Sequence, residues 1–380
     1  MTTVGNLRPT KAIIDRQAIY DNVQQEIKRL DKGTELWAVV KANAYGHGLI
    51  QVAKTAKAAG ATGFCVAILD EAMSLREAHL VEPILVLGII APQTAPIAAA
   101  NNIAVPVGSL EWLQRTEPIL ERQAHQLPPL RIQFALDTGM GRIGFRTTDE
   151  IKAAADFVAA HPEYFSLEGV WTHFATADEA DTTYFNQQVA AFKELLAALP
   201  EQPRYVHVSN SATSLWHQAC NGNVIRFGVA MYGLNPSGGA LEPPYPLEPA
   251  LSLVSQLVFV KQVHAGDHIG YGATYEADDD QWIGTVPIGY ADGWLRRLQG
   301  FYVLVDGQKC PIVGRICMDQ LMVRLPKEYV PGTDVVLVGK SGSQTLSLQD
   351  VADYSHTIHY EIACDLQERV PRHYVGPSFD

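Results

Sequence analysis

The sequence predicts an α/β protein whose N-terminal part folds as a (β/α)8 barrel and whose C-terminal part is a mainly-β domain. First, short apolar runs alternate with segments of helical apolar spacing from about residue 35 to residue 227. Second, this alternation ends at a stretch rich in Pro and Gly, beyond which strand-like runs are separated by turn signals. The length of 380 residues is sufficient for two domains.

The alternating region supplies the barrel. Helical spacing is clearest at Asp149–Ala160 and Tyr184–Leu199. Because eight strand–helix alternations can be counted, the pattern favours a closed barrel over a doubly wound sheet. The predicted strands are Leu36–Val40, Phe64–Ala67, Ile84–Leu87, Ile103–Val105, Arg131–Leu136, Leu167–Thr172, Tyr205–Val208 and Val224–Phe227.

The Pro- and Gly-rich stretch, residues 235–250, is interpreted as the connection between the domains. We therefore place the barrel domain at residues 1–240 and the mainly-β domain at residues 241–380. The predicted strands of the second domain are Leu253–Val263, Ile283–Ile288, Tyr302–Val305, Gln320–Arg324 and Asp334–Val338.

Composition limits the partners and the compartment. Hydrophobic residues make up 47% and charged residues 18%, as in a folded globular enzyme, and the net charge of −12 disfavours nucleic acid and anionic membranes as partners. Residues 1–14 lack the apolar run of a signal peptide, and no run is long enough to span a membrane. The odd set Cys65, Cys220, Cys310, Cys317 and Cys364 has no CxxC pair, so we expect free thiols and a cytoplasmic protein.

Polar and Gly-rich segments follow the predicted barrel strands, where barrel enzymes place their active sites. Lys41 ends the first strand. It is either a lysine whose stem packs while its ammonium reaches water, or a desolvated amine able to form a Schiff base.

The segment after the fifth strand, residues 137–144, reads DTGMGRIG and contains the GxGxxG pattern. The pattern lies in the fifth of eight units and not in a first βαβ unit, which argues against a nicotinamide dinucleotide site.

The last three strands end in further candidates. His173 follows the sixth strand and is a structural histidine or a catalytic one. Ser209 and Ser211 follow the seventh strand and are helix caps or phosphate ligands. Arg226 lies in the eighth strand and Gly228 directly after it. The loops after strands seven and eight form the usual phosphate site of this fold.

Motifs along the whole chain resemble those of the alanine racemases, a family of pyridoxal 5'-phosphate (PLP) enzymes of fold type III. The barrel motifs are AVVKANAYGHG from Ala38, DTGMGRIG from Asp137, THFATADE from Thr172, SNSA from Ser209 and RFGVAMYG from Arg226. Those of the second domain are GYGATY from Gly270, IGYADGW from Ile288, GRICMDQ from Gly314 and HYEIACDLQERVPR from His359.

The resemblance implies two catalytic bases. Lys41 would hold PLP and exchange the Cα proton on the D-alanine side, and Tyr271 of the other subunit of a homodimer would act on L-alanine. Inversion needs a base on each face of Cα. Because a free phenol has a pKa near 10, Tyr271 would need help, which the family pattern supplies through His173 and Arg226.

The resemblance also implies the binding residues. Arg226 would face the pyridine nitrogen of PLP, and Arg142 with the backbone amide of Met318 would bind the substrate carboxylate. Tyr290 and Tyr360 would narrow the access route, although both could be core aromatics with a hydrogen-bonded hydroxyl. The phosphate ligands would be Tyr45, Ser211, Tyr360, Gly228 and Val229. We expect no metal, because His356 and His359 lack an evident third ligand.

One position departs from the family pattern. Many relatives have a carbamylated lysine two residues before the aspartate of DTGMGR, where this chain has Ala135. Our hypothesis is that another anion, such as chloride, or an adjacent side chain balances the charge of Arg142 instead.

Four alternative functions are considered beside alanine racemisation for peptidoglycan synthesis. A racemase of serine or another amino acid is the nearest, and broad-specificity relatives are typically exported. An amino-acid decarboxylase of the same fold would need an acidic residue at the pyridine nitrogen of PLP. The basic Arg226 argues against this function. A PLP carrier without turnover would usually be a barrel alone, and a nicotinamide oxidoreductase is the most distant option.

Overall fold

The computed structural model describes residues 3–123, 125–217 and 222–379, so Cys220 lies outside the described residues. The chain divides into two compact units. The barrel unit consists of Ile19–Ala44, Leu49–Glu248 and Ser378–Asp380, and the sheet unit of Met1–Ala18, Tyr45–Gly48 and Pro249–Pro377. Both ends of the chain thus contribute to the sheet unit.

The barrel unit alternates strands with helices, as the sequence predicts. Its strands are β2 (Glu35–Val39), β3 (Gly63–Val66), β4 (Ile84–Val86), β5 (Val105–Val107), β6 (Leu130–Ala135), β7 (Phe165–Trp171), β8 (Tyr205–His207) and β9 (Val224–Phe227). Its helices are α1 (Arg16–Ile27), which begins in the sheet unit, α2 (Lys41–Tyr45), α3 (Leu49–Ala58), α4 (Leu69–Glu77), α5 (Ala95–Ala100), α6 (Leu110–Glu121), α7 (Thr148–Ala160), α8 (Thr183–Leu196) and α9 (Ser211–Trp216).

The eight strands form a closed parallel barrel. One run has the order β4-β3-β2-β9 and the other β5-β6-β7-β8, with parallel pairs throughout. Parallel bridges from Leu85 to Ala104 and from Ser209 to Ile225 join the two runs at both seams. Because parallel strands are covered by helices, they read as apolar runs, and Trp37, Phe64 and Phe227 are fully buried. The predicted barrel is confirmed.

The sheet unit is mainly β, as predicted, with two short helices. Its sheet has the order β11-β14-β17-β16-β15-β18-β10-β1-β20, with β19 paired to β18 and a separate β12–β13 pair. The strands are β1 (Lys11–Asp15), β10 (Leu251–Gln256), β11 (Phe259–Val263), β12 (His268–Ile269), β13 (Tyr275–Glu276), β14 (Gln281–Val286), β15 (Tyr302–Val305), β16 (Gln308–Val313), β17 (Leu321–Leu325), β18 (Asp334–Ser341), β19 (Gln344–Leu346) and β20 (Arg372–Val375). The helices are α10 (Leu348–Tyr354) and α11 (His359–Asp365).

The single strand predicted at Leu253–Val263 is wrong, because the chain changes partners in its middle. β10 pairs with β18, whereas β11 pairs with β14. Between them, the amide of Leu257 donates to Thr333 and the amide of Val258 donates to Thr285.

No helix among the described residues has the length and apolar character needed to cross a membrane.

Candidate active site

Lys41 stands where the first barrel strand ends, and the chain after it turns in an unusual way. Ala42, Asn43, Ala44 and Tyr45 all have φ between 52° and 54°, so α2 is a left-handed turn. Each non-glycine residue in this conformation costs about 1–2 kcal/mol, and such residues usually occur singly. A run of four is stable only if its surroundings hold it.

Side chains from neighbouring elements hold this turn. Glu71, in the first turn of α4, accepts a hydrogen bond from the amide of Ala42 at 2.6 Å and another from Ala67 at 2.8 Å. Asn43 accepts one from the amide of Leu49 at 2.8 Å, where α3 begins. The position of Lys41 is therefore fixed from two sides.

Arg226, on β9, is buried inside the barrel with 3% exposure, and its partners are all neutral. One terminal nitrogen donates to His207 Nδ1 at 2.8 Å and to the His207 carbonyl at 3.0 Å. The other donates to the Thr172 carbonyl at 2.7 Å and to His173 Nδ1 at 3.3 Å. Among the described residues, no acceptor faces its Nε–H, which is therefore available to a ligand.

The cluster around His173 is electropositive. Burial, followed by the charges of Arg226, Arg142 and Lys41, holds the pKa of His173 well below its usual value. Burial lowers the pKa of Arg226 to about 10, and the charge of Arg142 adds to this. Burial raises the pKa of Cys65 to about 12, so its thiol supplies no negative charge. Three cations in a protein of net charge −12 indicate a site for an anionic ligand.

Ser211 links the loops after β8 and β9. Its hydroxyl accepts hydrogen bonds from the amides of Gly228 at 2.9 Å and Ala230 at 3.4 Å. Helix α9 begins at Ser211, and a 3-10 helix begins at Val229. Amide groups at the starts of helices favour an anion such as a phosphate.

Arg142 lies in the exposed loop after β6. Asp137 organises this loop by accepting hydrogen bonds from the amides of Gly139 at 3.2 Å and Gly141 at 2.8 Å. The nearby Asp137 Oδ2 lies 3.9 Å from Arg146 Nε, whereas no described residue forms an ion pair with the guanidinium of Arg142. Ala135 is buried at the end of β6. An adjacent side chain therefore does not balance Arg142 within the described part of the chain.

In the sheet unit, Tyr271 is 69% exposed at the start of a 3-10 turn, Tyr271–Ala273. Gly270, Gly272 and Ala273 in this turn have φ of 79°, 74° and 47°. Gly270 also packs closely, because a Cβ there would lie 3.2 Å from the amide nitrogen of Arg315. The turn thus holds Tyr271 in a conformation that leaves its side chain exposed to solvent.

Tyr290 and Met318 lie on two loops of the sheet unit that are joined through their backbones. The amide of Tyr290 donates to Cys317 at 3.2 Å and that of Ala291 to Met318 at 3.0 Å. Gly289 allows this approach, since a Cβ there would lie 2.3 Å from the Cys317 carbonyl oxygen. Both side chains are exposed, at 43% for Tyr290 and 52% for Met318.

Tyr45 and Tyr360 meet within the sheet unit, with ring centroids 6.0 Å apart. His359 stacks on Tyr360 at 4.7 Å and donates from Nδ1 to Gln349 at 2.7 Å. Burial lowers the pKa of His359 to about 4. This histidine is therefore a neutral, buried support for the ring of Tyr360.

The structure thus brings Lys41, Arg142, His173 and Arg226 to one end of the barrel, beside Ser211, Gly228 and Val229. Sequence reasoning did not find His207, which bonds Arg226, nor Gln188, which bonds the loop that carries His173. His207 lies within an apolar strand and Gln188 lies on the buried face of α8, so the sequence around each residue predicts only a position in the hydrophobic core.

Comparison with known proteins decides the family. Residues 14–236 match the family model "Alanine racemase, N-terminal domain", and residues 250–374 match "Alanine racemase, C-terminal domain". The chain belongs to the alanine racemase family. The alanine racemase of Lacticaseibacillus casei is 66% identical over 376 residues, which cover 99% of each chain.

Solved structures agree with this assignment. An alanine racemase from E. faecalis has a TM-score of 0.95 at 56% identity, over 98% of this chain and 100% of that one. A histidine racemase from Leuconostoc mesenteroides has a TM-score of 0.91 at 33% identity, over 99% of this chain and 100% of that one. The chain is therefore an amino-acid racemase, an isomerase, and the decarboxylase, carrier and oxidoreductase alternatives are excluded.

Proposed function

We propose that this chain interconverts L- and D-alanine with PLP by a two-base mechanism that uses Lys41 and Tyr271. The observation that carries the proposal is the buried Arg226, whose partners are neutral and whose Nε–H faces no acceptor among the described residues. A donor of this kind suits an unprotonated pyridine nitrogen, because a guanidinium does not release its proton near neutral pH.

The remaining residues fit the other parts of PLP and of an amino acid. The Ser211 hydroxyl and the amides of Gly228 and Val229 would donate to the phosphate together with Tyr45 and Tyr360, and the Gly228 amide would exchange its bond to Ser211 for one to the phosphate. Arg142 and the amide of Met318 would bind the substrate carboxylate, and Tyr290 with Tyr360 would narrow access. When bound, PLP withdraws electrons from Cα and makes its proton acidic.

Proton transfer falls to the two bases. Lys41 would hold the cofactor through its Nζ and exchange the proton on the D-alanine side, and the Tyr271 hydroxyl would exchange it on the L-alanine side. His173 would stabilise the phenolate form of Tyr271 by donating a hydrogen bond from Nε2–H, because its Nδ1 accepts from Arg226 and the ring stays neutral. Arg226 would keep the pyridine nitrogen unprotonated, which limits side reactions such as transamination.

The reaction is tested by incubating the purified protein with L-alanine in deuterated water and following D-alanine and deuterium at Cα. We expect D-alanine with solvent deuterium at Cα, and no reaction for Lys41→Ala. Absorbance after borohydride treatment shows whether PLP is joined to Lys41. If PLP is bound but alanine is unchanged while serine or histidine racemises, the substrate assignment is wrong.

A homodimer with shared sites is the proposed assembly, with Tyr271 acting in the site of the partner subunit. Lys41→Ala and Tyr271→Phe chains are each expected to be inactive. Mixing and exchange should restore part of the activity, because a heterodimer then contains one site with both bases. Confirmed heterodimers without recovered activity would contradict the shared site.

We further propose that a small anion balances Arg142, since Ala135 cannot carry a carbamate and no described side chain pairs with Arg142. Exchanging chloride for gluconate at constant ionic strength should raise the KM for alanine severalfold and leave kcat nearly unchanged. An Arg142→Gln variant serves as the control, because its KM should not respond to chloride. An unchanged KM in the parent protein would contradict an anion at this position.

The proposed biological role is to supply D-alanine for peptidoglycan in the bacterial cytoplasm. Expression of the chain should allow a bacterium without its own alanine racemase to grow without added D-alanine. Lys41→Ala is the matched control. If the expressed parent chain racemises alanine in cell extracts and yet supports no growth, the proposed role is contradicted.

A further inference from the structure

A chain of hydrogen bonds runs from Arg226 through the inside of the barrel to a carboxylate. Arg226 donates to His207 Nδ1, and His207 Nε2 lies 2.7 Å from Gln133 Oε1. The amide nitrogen of Gln133 donates to Glu168 at 3.1 Å, and Arg131 bonds Glu168 at 2.5 Å. Four successive strands, β6 to β9, supply these residues.

The direction of every bond in this chain is determined from both ends. Arg226 can only donate, so His207 Nδ1 must be an unprotonated acceptor. The Glu168 carboxylate can only accept, so the NH2 group of Gln133 must face it and Oε1 must face His207. Gln133 Oε1 then requires a proton on His207 Nε2. Both arguments give the same neutral tautomer of His207.

The backbone is adapted to this chain of bonds. Leu167 pairs with Ile132 and Gly169 with Gln133, so Glu168 is the extra residue of a β-bulge, a feature that redirects side chains. A Cβ on Gly169 would lie 2.8 Å from the Gln133 side chain, so glycine leaves room for it. Gln133 and His207 are fully buried, and the Glu168 side chain is 10% exposed.

We infer that Gln133 and Glu168 are positioning residues: Glu168 orients the Gln133 amide, which fixes His207 as the Nε2–H tautomer and reserves Nδ1 to orient Arg226. The catalytic importance of this orientation rests on the proposed function of Arg226, whereas the tautomer of His207 does not depend on it.

The test is the tautomer of His207, read from two-bond 1H–15N correlations of the histidine-labelled full chain and assigned with a His207→Gln spectrum. We expect the Nε2–H form from pH 8 to pH 5.5, with and without PLP. In Glu168→Gln the neighbour can donate as well as accept, so the Gln133 amide can reverse. A second tautomer should appear, and kcat should fall about tenfold with little change in KM.

Two further variants keep the test decisive. Gly169→Ala should shift the same His207 signals, because its methyl group displaces Gln133. Thr116→Val is the control. It removes a buried hydrogen bond within α6 that is not part of the series from Arg226 to Glu168, and it should leave the tautomer of His207 unchanged.

The inference is overturned by an Nδ1–H or doubly protonated His207 in the parent protein, or by a folded Glu168→Gln protein with unchanged tautomer and kcat. If the parent protein fails to racemise alanine but His207 responds as expected, the proposed function fails and the positioning role stands.

Discussion

At the scale of single residues, the site depends on backbone that most side chains avoid. The four left-handed residues after Lys41 are not glycines, so their strain must be offset by hydrogen bonds such as the one that Ala42 donates to Glu71. The sequence could not predict this turn, because only glycine marks such a conformation reliably. What the sequence did show is that Lys41 ends a strand.

Ala42 allows a direct test of this strain, because it is exposed and a substitution changes little besides the backbone. Ala42→Val should lower the free energy of unfolding by about 2 kcal/mol, since a β-branched residue resists positive φ. Ala42→Gly should cost less, because glycine adopts this conformation freely. Urea unfolding of both variants measures the difference, and equal stabilities would contradict a strained turn.

At the scale of elements, helix α8 joins two loops of the site through one buried side chain. Gln188 donates to Thr138 and to the His173 carbonyl, both at 3.2 Å, and accepts from the amide of Ala175 at 2.8 Å. Tyr184, one turn earlier, donates to the Gly139 carbonyl at 2.7 Å. The helix therefore sets the distance between the loop of Arg142 and the loop of His173.

Replacing Gln188 should separate these loops. Gln188→Leu removes the hydrogen bonds to Thr138, His173 and Ala175, at about 0.5–1.5 kcal/mol each, and should lower kcat/KM for alanine more than tenfold. Hydrogen exchange of the Ala175 amide should accelerate. Gln187→Leu is the matched control, because Gln187 is exposed on the same helix. Equal activities of the two variants would show that α8 does not position the loops.

Elements with strong periodicity were predictable, and those that depend on distant partners were not. Val224–Phe227 and Tyr302–Val305 match the prediction, whereas the strand predicted at Ile103–Val105 begins two residues later, because the neighbouring Ile103 and Ala104 are equally buried. Strand β1 was not predicted, since its role in the sheet comes from β10 and β20 at the other end of the chain.

The same limit applies to the candidate site. The loop positions of Lys41, His173 and Arg226 follow from the rule that barrel sites lie after the strands. The importance of Gln133 and His207 arises from contacts between strands more than 70 residues apart, which no local pattern reveals. The roles of the site residues stay predictions until the variants are measured.

At the scale of the whole molecule, both units bury histidines that stay neutral. Burial and then Arg226 hold the pKa of His207 well below its usual value in the barrel unit. Burial holds the pKa of His359 at about 4 in the sheet unit. In the unfolded chain these histidines titrate near 6.5, so below that pH the unfolded state binds protons that the native state does not.

Stability should therefore decrease as the pH falls from about 6.5, and each such histidine contributes a slope of about 1.4 kcal/mol per pH unit. For His359 the loss should continue to about pH 4, where its native form also becomes protonated. His359→Gln should take up about one proton fewer than the parent chain on urea unfolding at pH 5.5. The measurement is proton uptake between pH 7.5 and pH 5, a range above the titration of most carboxylates. An uptake that is equal in both proteins would mean that His359 is already protonated in the native sheet unit, and Tyr360 would then stack on a cation.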